Sequence, residues 1–235
     1  MNWFNSFPVF ILLLFILIIV LCFVFKVKID FKSFLKKGFH AKRGNWGIYC
    51  FHGAQGKSKT LSLIHYLFNN KNKCIYFCNI PDIHGVDYEF FKGFSGLMDI
   101  KHRLDSGDIN TYGKQVVIVF DELFLELQKN TKLNSDVMDF LCQMRKRKII
   151  FLTSSQYWSE LPLTYRRFCR FAIKCDIINI FPFSIILNKY EDAENMKWSE
   201  LDQDFVAPLV STTLYKASKK VADSYNTHQR IEVSS

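Results

Sequence analysis

Residues 7–25 form a nineteen-residue run without a single charge, and its one proline, Pro8, stands at the entrance. At about 1.5 Å of helical rise per residue the run is about 28 Å long, close to the ~30 Å hydrocarbon core of a bilayer. It has no polar face, which argues against a helix buried on one side of a soluble core. A cleavable leader would carry basic residues before the apolar run and a small-x-small site after it; residues 1–6 hold no basic residue and no such site follows. The run therefore predicts one membrane-spanning helix, separate from whatever the other residues fold into.

The charge supports this and fixes a direction. Residues 26–43 carry seven Lys/Arg (26, 28, 32, 36, 37, 42, 43) against Asp30, which accounts for most of the net charge of +9. Beyond this collar the chain is nearly balanced, so a basic composition argues only weakly for nucleic acid. With the collar on the C-terminal side, the positive-inside rule puts residues 1–6 outside and the globular part in the cytoplasm, with Trp3 and Phe4 in the interfacial belt. The seven cysteines are odd in number and belong to a reducing compartment, so they predict no disulfide framework. Cys74 and Cys78 lack a second ligand pair and alternate with Ile75 and Phe77, as small core residues do. Hydrophobic residues at 49% and aromatics at 16% exclude a disordered chain.

After a basic linker over residues 26–44, short apolar runs alternate with helical patterns. Strands are expected over 47–51, 74–80 (stopped by Pro81), 116–120, 149–152, 173–178 and 184–187, with helices over 61–68, 97–104 and 137–144. Strands separated by helices mean a mostly parallel sheet with helical crossovers, an α/β fold.

The first strand runs into Gly53, Ala54, Gln55, Gly56, Lys57, Ser58, Lys59 and Thr60, and a helical pattern follows. Backbone N–H groups of such a loop, with a helix N-terminus behind them, cradle a polyanionic phosphate. Two registers fit. In one, Gly53 leads, Ser58 replaces the second glycine and Lys59 and Thr60 close the motif; in the other, Gly56, Lys57 and Ser58 close it, but Phe51, inside the strand, would have to be the leading glycine. The first is preferred because its turn follows the strand and its helix starts at Lys59. A side chain at Ser58 crowds the approach that glycine permits. Sixty-odd residues later, the strand over 116–120 ends in Asp121 and Glu122. Asp121 is suited to hold Mg²⁺ together with the Thr60 hydroxyl, and Glu122 to activate an attacking water.

A further strand ends in Thr153, Ser154, Ser155 and Gln156, which brings Thr153 or Gln156 to the γ-phosphate side as a sensor; the plain alternative is a strand-to-loop cap. Residues 145–148, with Arg166, Arg167 and Arg170, form the basic clusters outside the collar. They are solvated faces, a nucleic-acid contact, or the source of an arginine that reaches a neighbouring subunit's γ-phosphate.

Taken together, Trp46-Gly-Ile-Tyr, Gly-Ala-Gln-Gly-Lys-Ser-Lys-Thr, Val-Ile-Val-Phe-Asp-Glu and Arg-Lys-Arg with Phe-Leu-Thr-Ser-Ser-Gln resemble the zonular occludens toxin-like ATPases of filamentous phages, within the wider FtsK/HerA-type group of DNA-pumping ATPases. The resemblance covers about residues 44–190. It implies a P-loop NTPase three-layer sandwich at 45–190, with residues 191–235 as a C-terminal tail. It further implies ATP and Mg²⁺ as ligands, Lys59 as the phosphate lysine, Thr60 and Asp121 on the metal, Glu122 as catalytic glutamate and Gln156 as the strand-end glutamine. A hexameric ring that moves phage DNA or a DNA–protein complex across the host cell membrane, alongside other phage assembly proteins, is what the resemblance implies for function. Residues 223–227 also resemble a tail motif of such ATPases. The sequence departs from the family at Ser58 and in carrying its membrane helix N-terminally, as membrane-bound DNA translocases and conjugative coupling proteins do. A coupling or segregation ATPase, or a nucleotide-binding membrane scaffold with hydrolysis spoiled by Ser58, are the competing readings.

Overall fold

The computed structural model describes residues 3–24, 27–29, 46–129, 135–180 and 183–226. The chain begins with helix α1 (Trp3–Val24) and a short strand β1 (Val27–Ile29). There follow β2 (Gly47–His52), α2 (Lys59–Asn70), β3 (Cys74–Cys78), β4 (Glu89–Phe90), α3 (Gly93–Ser106) and β5 (Gln115–Phe120). Helices α4 (Leu123–Lys129) and α5 (Ser135–Gln143), strand β6 (Ile150–Ser155) and helix α6 (Leu163–Phe168) come next. The described chain ends with β7 (Cys169–Ile180), β8 (Phe183–Asp192), a 3-10 turn (Ala193–Asn195), β9 (Lys197–Ser199), β10 (Asp204–Val206), β11 (Leu209–Lys216) and α7 (Lys219–Ala222).

One sheet carries the fold, in the order β1-β11-β8-β7-β2-β6-β5-β3-β4. From β7 to β4 every neighbouring pair is parallel, as helical crossovers dictate. β8 alone runs against its neighbours, β7 and β11. The fold is thus α/β with a mostly parallel sheet. β6 lies between β2 and β5, in register with both (Cys50 opposite Thr153, Phe120 opposite Thr153). The C-terminal ends of these three strands therefore share one edge, where ligands of open α/β sheets bind.

The strands facing both layers are near-continuously apolar because both of their faces are covered. On one face Leu63, Ile64 and Leu67 of α2 pack on Phe51, Val117, Val119 and Leu152. On the other, α3, α5 and α6 cover Ile48, Cys50, Ile118, Phe120 and Phe151. Phe120 is the hub of this second core, with ring centroids 5.4 Å from Phe91, 5.7 Å from Phe94 and 6.5 Å from Phe151. Burying one such ring contributes ~1.5–3 kcal/mol.

The sheet is wider than the sequence pattern implied. Residues 191–235, read as a tail, supply β11, and the linker over 26–44 supplies β1, which pairs in parallel with β11 (Val27 opposite Thr212). The rest of that basic linker lies outside the described residues. The strands expected over 173–178 and 184–187 are the middle of a long hairpin, β7–β8, in which Lys174 and Asp176 interrupt the apolar pattern but not the backbone pairing. Helix α1 covers residues 7–24 of the predicted membrane run, and the side chains of residues 10–20 are all exposed. Among the described residues no helix is long and apolar enough to cross a membrane; α1 side chains outside 10–20 are described only at Cys22 and Val24.

Candidate nucleotide site

The loop after β2 is pressed onto β7. Gly53 adopts φ +150°, and a Cβ there would come within 2.8 Å of the Cys175 carbonyl, so only glycine fits. Its N–H donates to the Gln156 carbonyl (3.2 Å), which joins the loop to the end of β6. The loop then turns tightly, Lys57 N–H to Ala54 O at 3.2 Å, through Gly56 at φ +78°, above which a Cβ would meet nothing within 4 Å. Open space over a turn of backbone amides, with a helix N-terminus behind it, is the shape a phosphate needs.

Ser58 precedes α2 in the left-handed conformation (φ 61°, ψ 19°), where a non-glycine residue is costly. Its hydroxyl turns away to the Asp176 carbonyl (3.4 Å), and its own carbonyl accepts the first helical bond, from Ser62 N–H at 2.9 Å. The side chain thus leaves the mouth of the loop clear. The two neighbouring lysines part company. Lys59 Nζ donates to the carbonyls of Gly53 (2.7 Å) and Ala54 (3.1 Å), inside the loop. Lys57 Nζ instead bonds Asp176 Oδ1 at 2.7 Å on the outer side, and that bond, with the Ile177 N–H, holds the Asp176 carboxyl below the usual carboxylate range.

Thr60, in the first turn of α2, donates to Asp121 Oδ2 at 2.8 Å. Asp121 is buried at the tip of β5 and held on every side. Ser154 Oγ donates to its Oδ1, and Asn79 clamps its main chain, Asp121 N–H to Asn79 Oδ1 at 2.6 Å and Asn79 Nδ2 to Asp121 O at 2.9 Å. Burial raises the Asp121 carboxyl, while the bonds from Ser154 and Thr60, the Glu122 N–H and the charge of Lys59 pull it down. Glu122, at φ 53°, is exposed beside it, with its N–H donated to Ser154 Oγ at 2.8 Å. Partial burial, then the Asp121 charge, raise the Glu122 carboxyl; Lys59 lowers it. Burial lowers the Lys59 ammonium, and Asp121, Cys175 and Glu122 oppose this.

A hydroxyl and a buried carboxylate in contact form a hard-oxygen pair of the kind that takes Mg²⁺. A lysine already saturating loop carbonyls fits a phosphate cradle. The residues present therefore fit both ligands.

Against known proteins, no family model matches the chain, and no curated protein does. Solved structures do. The chain is similar to the N-terminal domain of zonular occludens toxin from Neisseria meningitidis, at 14% identity over 77% of this chain and 98% of that one, with a TM-score of 0.48. It is similar to the genome packaging NTPase B204 from Sulfolobus turreted icosahedral virus 2, described in complex with ATP-gammaS, at 13% identity over 72% and 100%, with a TM-score of 0.46. The flagellar accessory protein FlaH from Methanocaldococcus jannaschii matches at 14% identity over 71% and 86%, with a TM-score of 0.44. At this identity and superposition, the roles discussed here rest on this chain's own side chains.

Several residues stand elsewhere than the sequence suggested. Thr153 is fully buried on the far face of the sheet and bonded to the Tyr165 hydroxyl (2.9 Å), so it cannot sense a phosphate. Gln156 does lie at the site's edge, exposed, tied to it by its carbonyl. Arg166 is not free to reach a neighbour: it is 6% exposed, and its Nη1 donates to Asp204 Oδ1 (3.0 Å) and Oδ2 (2.9 Å). Helix α6 is amphipathic, and Arg166 falls on its inner side next to Tyr165, whereas Arg167 is exposed. Of the other basic residues, Arg145 pairs with Glu194, Arg147 with Asp105, and Arg170 donates to Trp46 O at 3.1 Å. Asn79, Ser154 and Asp176 are the site residues that sequence reasoning missed. A polar residue at the end of an apolar strand is the only signal that marks Asn79.

Proposed function

We propose that this chain is a membrane-anchored P-loop ATPase that binds ATP with Mg²⁺ and hydrolyses it. The observation that carries the reading is the convergence of Lys59, Thr60, Asp121 and Glu122 on one edge of the sheet, around a loop that only glycine can lead. The phosphates of ATP would lie against the amides of residues 53–59, with Lys59 exchanging the Gly53 and Ala54 carbonyls for phosphate oxygens. Thr60 and Asp121 would hold Mg²⁺, which would supply neutralisation of phosphate charge. Glu122 orients a water toward the γ-phosphorus and takes its proton as the bond to the β–γ bridging oxygen breaks, releasing ADP and phosphate. A raised carboxyl is suited to this proton transfer. Gln156 would report the γ-phosphate to the loop through its link to Gly53, and the exposed Arg167 would act on a neighbouring subunit's site.

Anchoring is supported by α1. Its exposed side chains from Phe10 to Val20 are all Phe, Ile, Leu or Val, a surface that water does not tolerate and lipid does. The cargo reading, export or assembly of phage DNA or a DNA–protein complex by a hexameric ring in the host cell membrane, is supported by the sequence resemblance. Ser58 in glycine's place favours a second reading, a nucleotide-binding scaffold without turnover. The test is Mg²⁺-dependent ATP hydrolysis by the full chain in detergent, with and without DNA. Turnover that Glu122→Gln stops, with nucleotide binding kept, supports the enzyme. Tight binding without turnover under either condition supports the scaffold.

A further inference from the structure

The edge of the sheet opposite the nucleotide site is built from the loops that lead into the parallel strands. β11 runs against β8, and β8 against β7, so β1, β7 and β11 start on that edge together with β2, β3, β5 and β6. Helix α1 arrives there too. It packs against β1, and from Val24 to Val27 the chain advances three residues, at most about 11 Å. β1 is parallel to β11 with Val27 opposite Thr212, so Leu209 and Val210, just before Thr212, lie on the side from which α1 enters. Both are exposed, and so is the β9–β10 hairpin that joins β8 to β11: Trp198 is 58% exposed and Leu201, at the tip, 98%.

Contacts run from the hairpin along this edge as far as β5. The Asp192 N–H donates to Pro208 O at 2.8 Å, and Glu194, two residues on, pairs with Arg145. Arg145 and Arg170 flank Gly47, Arg170 donates to Trp46 O, and Lys148 Nζ lies 5.4 Å from the centre of the Trp46 ring. Trp46 Nε1 donates to Gln115 Oε1, at the start of β5, at 2.8 Å. Three acids beside these arginines are spent in pairs, Glu194 on Arg145, Asp105 on Arg147 and Asp204 on Arg166. Lys71, Lys114, Lys146, Lys148 and Lys197 are exposed along the edge, against Asp108, Glu200 and Asp202.

We propose that this edge lies on the surface of the bilayer that α1 enters, with Trp198 and Leu201 at the headgroup level and the lysines on anionic lipid headgroups. Apolar side chains beside exposed lysines match such a surface on both counts, because buried apolar area and attraction to anionic lipid add. The proposal rests on the anchored reading above. It adds that the α/β domain is held against the membrane, with its nucleotide edge turned away from the lipid.

The experiment places the full chain in nanodiscs of phosphatidylcholine alone, or with phosphatidylglycerol as a third of the lipid. Chymotrypsin cleavage within 197–206 is followed for wild type and for the double variant Lys114→Gln/Lys146→Gln, whose changes lie away from the cleaved hairpin. Docking should slow wild-type cleavage in the anionic discs at least about fivefold relative to the neutral ones, the factor that one basic residue contributes at such a surface. Removing two lysines should lower the ratio of docked to undocked chains about 25-fold and bring cleavage back to the neutral rate. Raising the salt to about 1 M should do the same to wild type. In neutral discs the two chains should be cut equally fast. Equal wild-type rates in the two kinds of disc, or protection that the double variant keeps, would overturn the proposal. Duplex DNA that protects the hairpin in neutral discs as well as anionic lipid does would overturn it too, and make this edge a nucleic-acid contact. Failure of the anchored reading looks different: the full chain would separate from neutral discs on gel filtration.

Discussion

Arg166 separates two accounts of this chain by a measurable amount. As an arginine finger it would be expendable for folding and essential for turnover. Its geometry makes the opposite forecast. The guanidinium side chain is 7% exposed, it holds both oxygens of Asp204, and Asp204 is itself 27% exposed. Removing one member of a fully buried pair costs about 3–5 kcal/mol, because the other is left charged and unpaired. Partial access of water to Asp204 brings the expectation to the lower end, about 3 kcal/mol for Asp204→Asn or Arg166→Ala. For a domain of this size that is a fall in Tm of roughly 6–12 °C. The two changes should be strongly non-additive, since the second removes a partner already lost. Thermal unfolding of the four chains of the double-mutant cycle gives the coupling, and ATP hydrolysis well below each Tm gives the catalytic effect. Arg166→Ala with an unchanged Tm and abolished turnover would refute this assignment and restore the finger. Arg167→Ala, in contrast, should leave Tm within about 0.5 kcal/mol of wild type, as for other surface changes.

Two further predictions concern the site's supports. Asn79→Ala leaves the buried N–H and carbonyl of Asp121 unpaired, and chemical denaturation should show a loss of about 2–4 kcal/mol; a loss under 0.5 kcal/mol would mean the clamp is idle. His52 is buried beside Glu191 (4.0 Å), and burial, then Lys174 and Lys59, lower its pKa from 6.5 to about 4. It is therefore neutral in the folded chain while the unfolded chain binds its proton first. Stability should be complete above pH 6.5 and fall as the pH drops toward 4, by up to ~3 kcal/mol from the difference of about 2.5 pH units. His52→Gln should flatten that acid limb; an identical pH profile in the variant would contradict the assignment.

The residues that announce themselves in sequence are those whose chemistry is local. Gly53 to Thr60 follow one another along the chain, and Asp121 and Glu122 follow an unbroken apolar strand, so the strand, the loop and the carboxylates are read together. The α/β layering is legible for the same reason, as each strand and its following helix are neighbours. What escaped is held by partners far away in sequence. Arg166 looks like a surface arginine until Asp204, thirty-eight residues on, is folded against it. The pairing of β1 with β11 joins two ends of the chain whose residues carry no trace of one another. Thr153 and Ser154 differ in role only because a strand alternates its side chains between faces, sending one to Tyr165 and the other to Asp121. Asn79 reads as an interruption of an apolar run, and only the neighbouring strand shows what it clamps.

The choice of lysine is the most direct test of the whole account. Nucleotide affinity of the full chain in Mg²⁺ should be lost in Lys59→Ala, whose side chain lies inside the loop, and change only a few-fold in Lys57→Ala, whose ammonium is spent on the half-exposed Asp176. Loss of binding in Lys57→Ala with binding retained in Lys59→Ala would contradict it.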